Sequence, residues 1–362
     1  MVPTVAATSF AEQLGGVVGH DVPGIAVAVV GPEGVRSSAA VGFRDLSAAA
    51  PASTLMVCPW FSMTKIATAT TAMRLVERQV LDLDEPLIRM VSALRVLRPA
   101  ELAERITSRH LLSHSSGISN PIPIRWIHPA DEPSPDADLF LEDLLAKHRN
   151  LRFEPGSHAS YSNLGVLVLG KALSTATRRP FTELVAGELL VPLGMAQTGF
   201  AYSPQMELLA ATGYHPRWSP MRLLMPGWAL GPSIGRWVSL RRFLLDGAPY
   251  GGLVGSLDDA CRFLQFHLGD GEINGTRLLT AESVRAMQAV HSRGGPTDFG
   301  LGWCRPAKRS TGVPDFVEHL GGGAGFFNLL RIYTSRRVGV VVIGNATHYD
   351  IDAVTTLGLQ YA

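Results

Sequence analysis

Pro59-Trp60-Phe61-Ser62-Met63-Thr64-Lys65-Ile66 leads into a stretch, 62–79, whose apolar or small residues recur at helical spacing. Ser62 and Lys65, three apart on a helix, project from one face one turn from each other. The amine can then take the hydroxyl proton that a serine must lose before it attacks a carbonyl. Ser62 falls in the first turn, where free backbone N–H groups and the helix dipole favour negative charge developing on a carbonyl oxygen. Alone, the tetrapeptide proves little: a first-turn serine is a common helix cap, and a helix lysine is ordinarily solvated.

The context comes in chain order. Tyr161-Ser162-Asn163 lies in the segment Phe153-Glu154-Pro155-Gly156 to Leu164-Gly165, and His319-Leu320-Gly321-Gly322-Gly323 closes the apolar run Phe316-Val317-Glu318. Ser-x-x-Lys, then Tyr-x-Asn, then a cation-or-His-x-Gly on a strand resembles the ordered triplet of the serine β-lactamase and penicillin-binding-protein superfamily. The tyrosine in the second motif resembles the class C form. Further stretches carry the same resemblance: Gly24-Ile25-Ala26-Val27-Ala28-Val29-Val30, His110-Leu111-Leu112-Ser113-His114-Ser115-Ser116-Gly117, Pro192-Leu193-Gly194-Met195 and Gly251-Gly252-Leu253-Val254-Gly255-Ser256. Together they span nearly the whole chain.

Residues 24–31 and about 35–43 read as a hairpin around Gly31-Pro32-Glu33-Gly34. Strands are also expected at Phe299–Trp303, Phe316–Leu320, Phe326–Tyr333 and Val338–Gly344, with a closing helix from about 350, and helices joined by loops between the two chain ends. The natural assembly is an α/β (α+β) fold: one antiparallel sheet built from both ends, flanked by helices, with an inserted helical domain. This matches the architecture the resemblance implies. The expected division is 1–61 with 292–362 for the sheet domain and 62–291 for a mainly helical one, part of 164–215 packing on the sheet and the site in the cleft between. The proline-rich loop 120–138 is expected near the site mouth; 214–250, with Trp218, Trp228 and Trp237, is either an apolar wall over the site or core.

Hydrophobic residues make up 46% of the 362 and charged ones only 17%, which excludes a disordered chain. The net charge of +1 gives no electrostatic case for nucleic acid or an anionic membrane. No apolar run approaches a membrane span, and Met1-Val2-Pro3-Thr4-Val5 has no charged leader, which predicts a cytoplasmic protein. Cys58, Cys261 and Cys304 are odd in number and form no Cys-x-x-Cys, so they read as apolar residues. His110 and His114 lack the glutamate of a zinc-protease helix, and Gly321–Gly325 lacks a phosphate-loop ending. Neither metal nor cofactor is expected.

Ser62 is the expected nucleophile and Lys65, desolvated, its base. Tyr161 is a second acid/base candidate if Lys65 holds its oxygen; the bland alternative is a hydroxyl capping a loop. The resemblance implies that Lys65 and Tyr161 act as a coupled pair, and which carries the proton at each step stays open. It further implies that Asn163 bonds Lys65 or the substrate acyl group, and that the backbone N–H groups of Ser62 and Gly322 form the oxyanion hole. Glycine at 321 and 322 lets substrate lie close to the strand.

One departure shifts the reading. Typical β-lactamases carry Lys-Thr-Gly where this chain has His319-Leu320-Gly321, so the permanent cation for a substrate carboxylate is missing. His-x-Gly is similar to the family VIII carboxylesterases and related D-amino-acid amidases and acyltransferases. The expected function is therefore a serine carboxylesterase with a small-molecule ester substrate. A β-lactamase or D-amino-acid peptidase, an acyltransferase, and a silent binding protein are the alternatives. A decoy, Gly231-Pro232-Ser233-Ile234-Gly235, fits the nucleophile elbow of α/β-hydrolases, but no alternating βαβ pattern precedes it.

Overall fold

In the computed structural model, which describes residues 9–307 and 313–362, strand β1 (Gly24–Gly31) is buried along its whole length. Met1–Val5 and Lys308 lie outside the described residues. The main sheet adds β2 (Gly34–Asp45), β3 (Ala50–Pro51), β4 (Ser292–Arg293), β5 (Thr297–Phe299), β6 (Cys304–Pro306), β7 (Phe316–Gly323), β8 (Phe326–Tyr333) and β9 (Val338–Gly344). Its order is β4-β5-β6-β7-β8-β9-β1-β2-β3, antiparallel throughout. The helices that matter for the site and the sheet are α1 (Phe10–Val18), α2 (Thr64–Glu77), α3 (Asn163–Thr177), α4 (Leu257–Leu268) and α5 (Ile351–Gly358).

The continuous apolar run of β1 follows from burial on both faces. Successive side chains of a strand alternate. Ile25, Val27 and Val29 join a cluster with Phe10 and Leu14 of α1 and Val354 and Leu357 of α5. Ala26, Ala28 and Val30 face a larger cluster containing Phe263 and Leu264 of α4 and Ile66 of α2. Small alanines on the second face leave room for the aromatic side chains there. Each buried valine or isoleucine contributes roughly 1.5–3 kcal/mol of transfer free energy.

The expected hairpin, the strands at 316–320, 326–333 and 338–344, and the closing helix are all present. Phe299–Trp303 differs from expectation. β5 ends at Phe299, and Gly300–Trp303 is a turn closed by the Gly300 N–H to the Trp303 carbonyl at 2.8 Å. Gly302 there has φ +87°, and a Cβ on it would come within 2.3 Å of Ala69 Cβ on α2, so only glycine seats this turn on the helix. The middle of the chain also holds more strand than expected. Short pieces such as Ile127–Pro129, Tyr214–Pro216, Leu230–Ile234, Trp237–Leu240, Phe243–Leu245 and Val254–Ser256 form separate small sheets. Segments this short cannot show a period. No helix among the described residues is long and apolar enough to cross a membrane.

Candidate active site

Ser62 sits in a 3₁₀ turn, Phe61–Met63, that runs directly into α2. Phe61 has φ +48°, a conformation costly for a bulky side chain and one that active sites retain. The turn is pressed against the end of β7. A Cβ on Gly321 would lie 2.2 Å from the Trp60 carbonyl oxygen, and one on Gly323 would lie 2.0 Å from the Phe61 ring. Glycine at both positions is therefore what allows β7 to approach. Past the Cys304–Glu318 pair, β7 is paired with β8 on one edge and turns its other toward Ser62. Gly322, opposite Phe327 in that register, lines the same cavity as Ser62.

Lys65 Nζ is 3.0 Å from Ser62 Oγ, and Tyr161 Oη donates to the same oxygen at 2.9 Å. The expected bond between Lys65 and the Tyr161 oxygen is not among the contacts. Nζ instead donates to the Tyr250 carbonyl at 2.7 Å and lies 4.9 Å from the centre of the Tyr161 ring. Lys65 is 2% exposed, and burial pulls its amine well below the usual lysine range. Burial pushes the Tyr161 phenol up, offset in part by the hydrogen bond to Ser62. Both groups are thus driven toward their neutral forms.

Tyr161 is held by its neighbours. Its ring lies tilted against His114, centroids 4.5 Å apart, and His114 also meets Phe299 edge-on at 4.9 Å. His114 Nδ1 accepts the Ser162 N–H at 3.2 Å, so the histidine fixes the backbone next to Tyr161. His110 sits instead in the short helix Ser108–Leu112 with Nδ1 toward Thr107, so the two histidines do not make a metal pair. Among the described residues no group of His, Cys, Asp or Glu is arranged to hold a metal. The cysteines are free, with Cys58 and Cys261 buried and Cys304 half-buried.

Asn163 begins α3, capped by Ser162, whose Oγ accepts the Gly165 N–H at 2.9 Å. The Asn163 N–H donates to Asn120 Oδ1 at 3.0 Å, while its own side-chain Oδ1 is buried with no protein partner and faces the cavity of Ser62. The bond to Lys65 is not made, which leaves the amide for a ligand.

His319 is 2% exposed, and its Nδ1 lies 2.9 Å from the Leu320 carbonyl. A carbonyl only accepts, so Nδ1 carries the hydrogen and Nε2 the lone pair. Nε2 has no protein partner. Burial, with Lys65 nearby, depresses the imidazole to about 3, so it is neutral at physiological pH. Leu320 points outward, 38% exposed.

The cavity at Ser62 has a volume of about 370 Å³. Ile124, Ile127, Met225, Leu245 and Phe327 supply apolar walls, and among the described residues no Lys, Arg, Asp or Glu lines it. His215 also faces it, neutralised by burial and bonded to Thr347 Oγ1 at 2.9 Å. Pro123, Ile124 and Ile127 of the proline-rich loop line the cavity, and 214–250 supplies both wall, through His215, Met225, Leu245 and Tyr250, and core. Trp237 is buried, Trp228 half-buried and Trp218 exposed. The decoy Ser233 is exposed on the hairpin of Leu230–Ile234 and Trp237–Leu240, with a strand after it where an elbow needs a helix.

Sequence reasoning missed the segment that anchors α2 from below. Besides the Tyr250 carbonyl, the Pro249 carbonyl accepts from Thr68 Oγ1 at 2.7 Å, and the Leu253 N–H donates to Thr64 Oγ1 at 3.2 Å. Gly251-Gly252-Leu253 is a visible marker, but a carbonyl ligand to a lysine has no side-chain signature.

A family model described as Beta-lactamase matches residues 8–359. Protein Rv1367c of Mycobacterium tuberculosis is 31% identical over 265 residues, 68% of this chain and 63% of that protein, so the match spans less than two thirds of that relative. Esterase EstB of Burkholderia gladioli is 26% identical over 359 residues, 93% of this chain and 90% of EstB. The solved structure of EstCE1, a hydrolase with promiscuous acyltransferase activity, shares the fold with a TM-score of 0.77 over 97% of both chains at 21% identity. The two-ended antiparallel sheet, the turn carrying Ser62 against a glycine strand and a family match over nearly the whole length agree, and the chain belongs to the Beta-lactamase family.

Proposed function

We propose that the protein is a serine carboxylesterase for small, uncharged, apolar esters, working through an acyl-enzyme on Ser62. The observation that carries this reading is a Ser62 hydroxyl held at 3.0 Å by a desolvated amine in a cavity lined by no ionic side chain among the described residues. Neutral Lys65 spends one N–H on the Tyr250 carbonyl and offers its lone pair to the Ser62 proton. Ser62 Oγ attacks the ester carbonyl, and the backbone N–H groups of Ser62 and Gly322 receive the oxyanion. Protonated Lys65, 3.0 Å from the serine oxygen, returns that proton to the leaving alkoxide, while the Tyr161 O–H, 2.9 Å from the same oxygen, donates a hydrogen bond to the departing group. Water then enters by the reverse proton path and frees the acid. Asn163 Oδ1 and Nδ2 orient the acyl group.

The neutral His319 argues against substrates recognised through a carboxylate, as β-lactams and D-amino-acid peptides are. The likeness to EstB along nearly the whole chain supports the ester reading. The test is a panel of aryl esters, D-amino-acid amides and a chromogenic cephalosporin on wild type, Ser62→Ala and Ser233→Ala. Ester turnover should fall on the order of 10³-fold or more in Ser62→Ala and persist in Ser233→Ala. Cephalosporin turnover above that of every ester, by kcat/KM, would transfer the reading to a β-lactamase.

A further inference from the structure

A second relay of three side chains lies apart from Ser62. His128 is on the short strand Ile127–Pro129, which pairs with Phe243–Leu245 so that His128 opposes Leu244. Asp246 follows that partner strand, its N–H held by the Trp126 carbonyl at 2.9 Å. His128 Nδ1 lies 2.6 Å from Asp246 Oδ1 and Nε2 lies 3.2 Å from Ser134 Oγ. An ionised carboxylate only accepts, so Nδ1 carries the hydrogen and the Nε2 lone pair faces the serine hydroxyl. The His128 and Asp246 side chains are 10% and 14% exposed, whereas Ser134 is open. Burial raises the Asp246 carboxyl, which makes it a stronger acceptor for Nδ1–H.

Ser134 stands between Pro133 and Pro135, which restrict its backbone. It opens on a separate cavity of about 530 Å³, with Phe140, Leu167, Phe181 and Phe200 as apolar walls and a charged rim of both signs in which Lys171 pairs with Asp138 at 2.7 Å. Leu245 lines both this cavity and that of Ser62. Nucleophile, base and orienting carboxylate in hydrogen-bond sequence beside an apolar cavity are what acyl transfer to serine requires.

We propose that Ser134, His128 and Asp246 form a second nucleophilic site, independent of Ser62, for acyl or sulfonyl electrophiles carrying an aromatic or apolar group. Ser134 Oγ bonds to the electrophilic carbon or sulfur, and its proton passes to His128 Nε2. The bond to the leaving group breaks, and the departing alkoxide or fluoride takes that proton, which returns His128 to its neutral form. The group stays on Ser134 until a water activated by His128 removes it.

The experiment treats full-length Ser62→Ala with phenylmethylsulfonyl fluoride and maps modified serines by peptide mass spectrometry over time. Ser134 should react about a hundredfold faster than the exposed Ser157, whose hydroxyl donates to the Glu154 carbonyl. His128→Gln in the same background should bring Ser134 down to the Ser157 rate. Where that variant unfolds, Asp246→Asn with an unchanged Tm serves the same purpose. Ser134→Ala in an otherwise wild-type chain should leave turnover at Ser62 intact. Labelling of Ser134 no faster than Ser157, or equal labelling in the folded His128→Gln or Asp246→Asn variant, overturns the proposal.

Discussion

Gly321→Ala places one methyl group where the structure has no room. Its Cβ would stand 2.2 Å from the Trp60 carbonyl oxygen, and that oxygen belongs to backbone just ahead of the strained Phe61 turn. Reaching an ordinary contact needs β7 and the turn to part by about 1 Å, the order of misplacement that costs about 10²-fold in rate. The neighbouring N–H of Gly322 would be carried away from Ser62 with the strand. Stability should fall as well, by about 1–3 kcal/mol for an overpacked contact. Gly322→Ala is the matched control: its Cβ would meet the flexible Phe327 ring at 3.3 Å, which a small ring shift relieves. The assay is p-nitrophenyl butyrate hydrolysis with thermal unfolding on the same samples. If wild type turns over no ester, the rate of Ser62 modification by a fluorophosphonate reads the same geometry. Gly321→Ala within about threefold of wild type while Gly322→Ala is the more damaged would refute the close-approach argument.

Lys65→Ala and Tyr161→Phe should each lower ester kcat with the Tm retained, and the double variant should be little worse than the poorer single, because both groups act on one oxygen; a fully active Tyr161→Phe would make Tyr161 structural. His319 titrates at about 3 when folded against 6.5 unfolded, so the unfolded chain binds more protons between those values and stability falls as pH drops below 6.5. His319→Gln should flatten that acid slope in urea titrations, and an unchanged slope would show that His319 does not contribute to it. His319→Lys with Leu320→Thr should raise cephalosporin kcat/KM by about one to two decades, the worth of a charge-assisted hydrogen bond. No gain would show that the third motif does not set carboxylate preference.

The large sheet is legible because β1 and β9 are long enough for burial on both faces to produce continuous apolar runs. Ser62, Lys65, Tyr161 and Asn163 stand out as motifs, and the fold brings all four to one place. What cannot be read is backbone chemistry. The Tyr250 carbonyl that holds Lys65 leaves no trace in side-chain identity, so the motifs alone put the amine on the Tyr161 oxygen instead. Gly300-Leu301-Gly302-Trp303 has strand-like hydrophobicity, yet Leu301 and Trp303 are buried by a turn packed on α2. Helix α1 escapes notice because Gly15 and Gly16 weaken its propensity; the Ser9–Glu12 capping box is its signal.

β1 is flanked by β2, made immediately after it, and by β9, which follows only once residues 46–337 have been made. As the chain leaves the ribosome, the β1–β2 hairpin therefore carries an unsatisfied edge on a wholly apolar strand while most of the molecule is still being synthesised. An open apolar edge held that long is an invitation to pair with another nascent chain, and closure between such distant segments is intrinsically slow. The turn that carries Ser62 likewise has no opposing glycine strand until β7 is made, shortly before β9. The Ser62 turn is therefore unassembled for most of translation, and chaperone demand in the cell should concentrate on chains stalled before Val338.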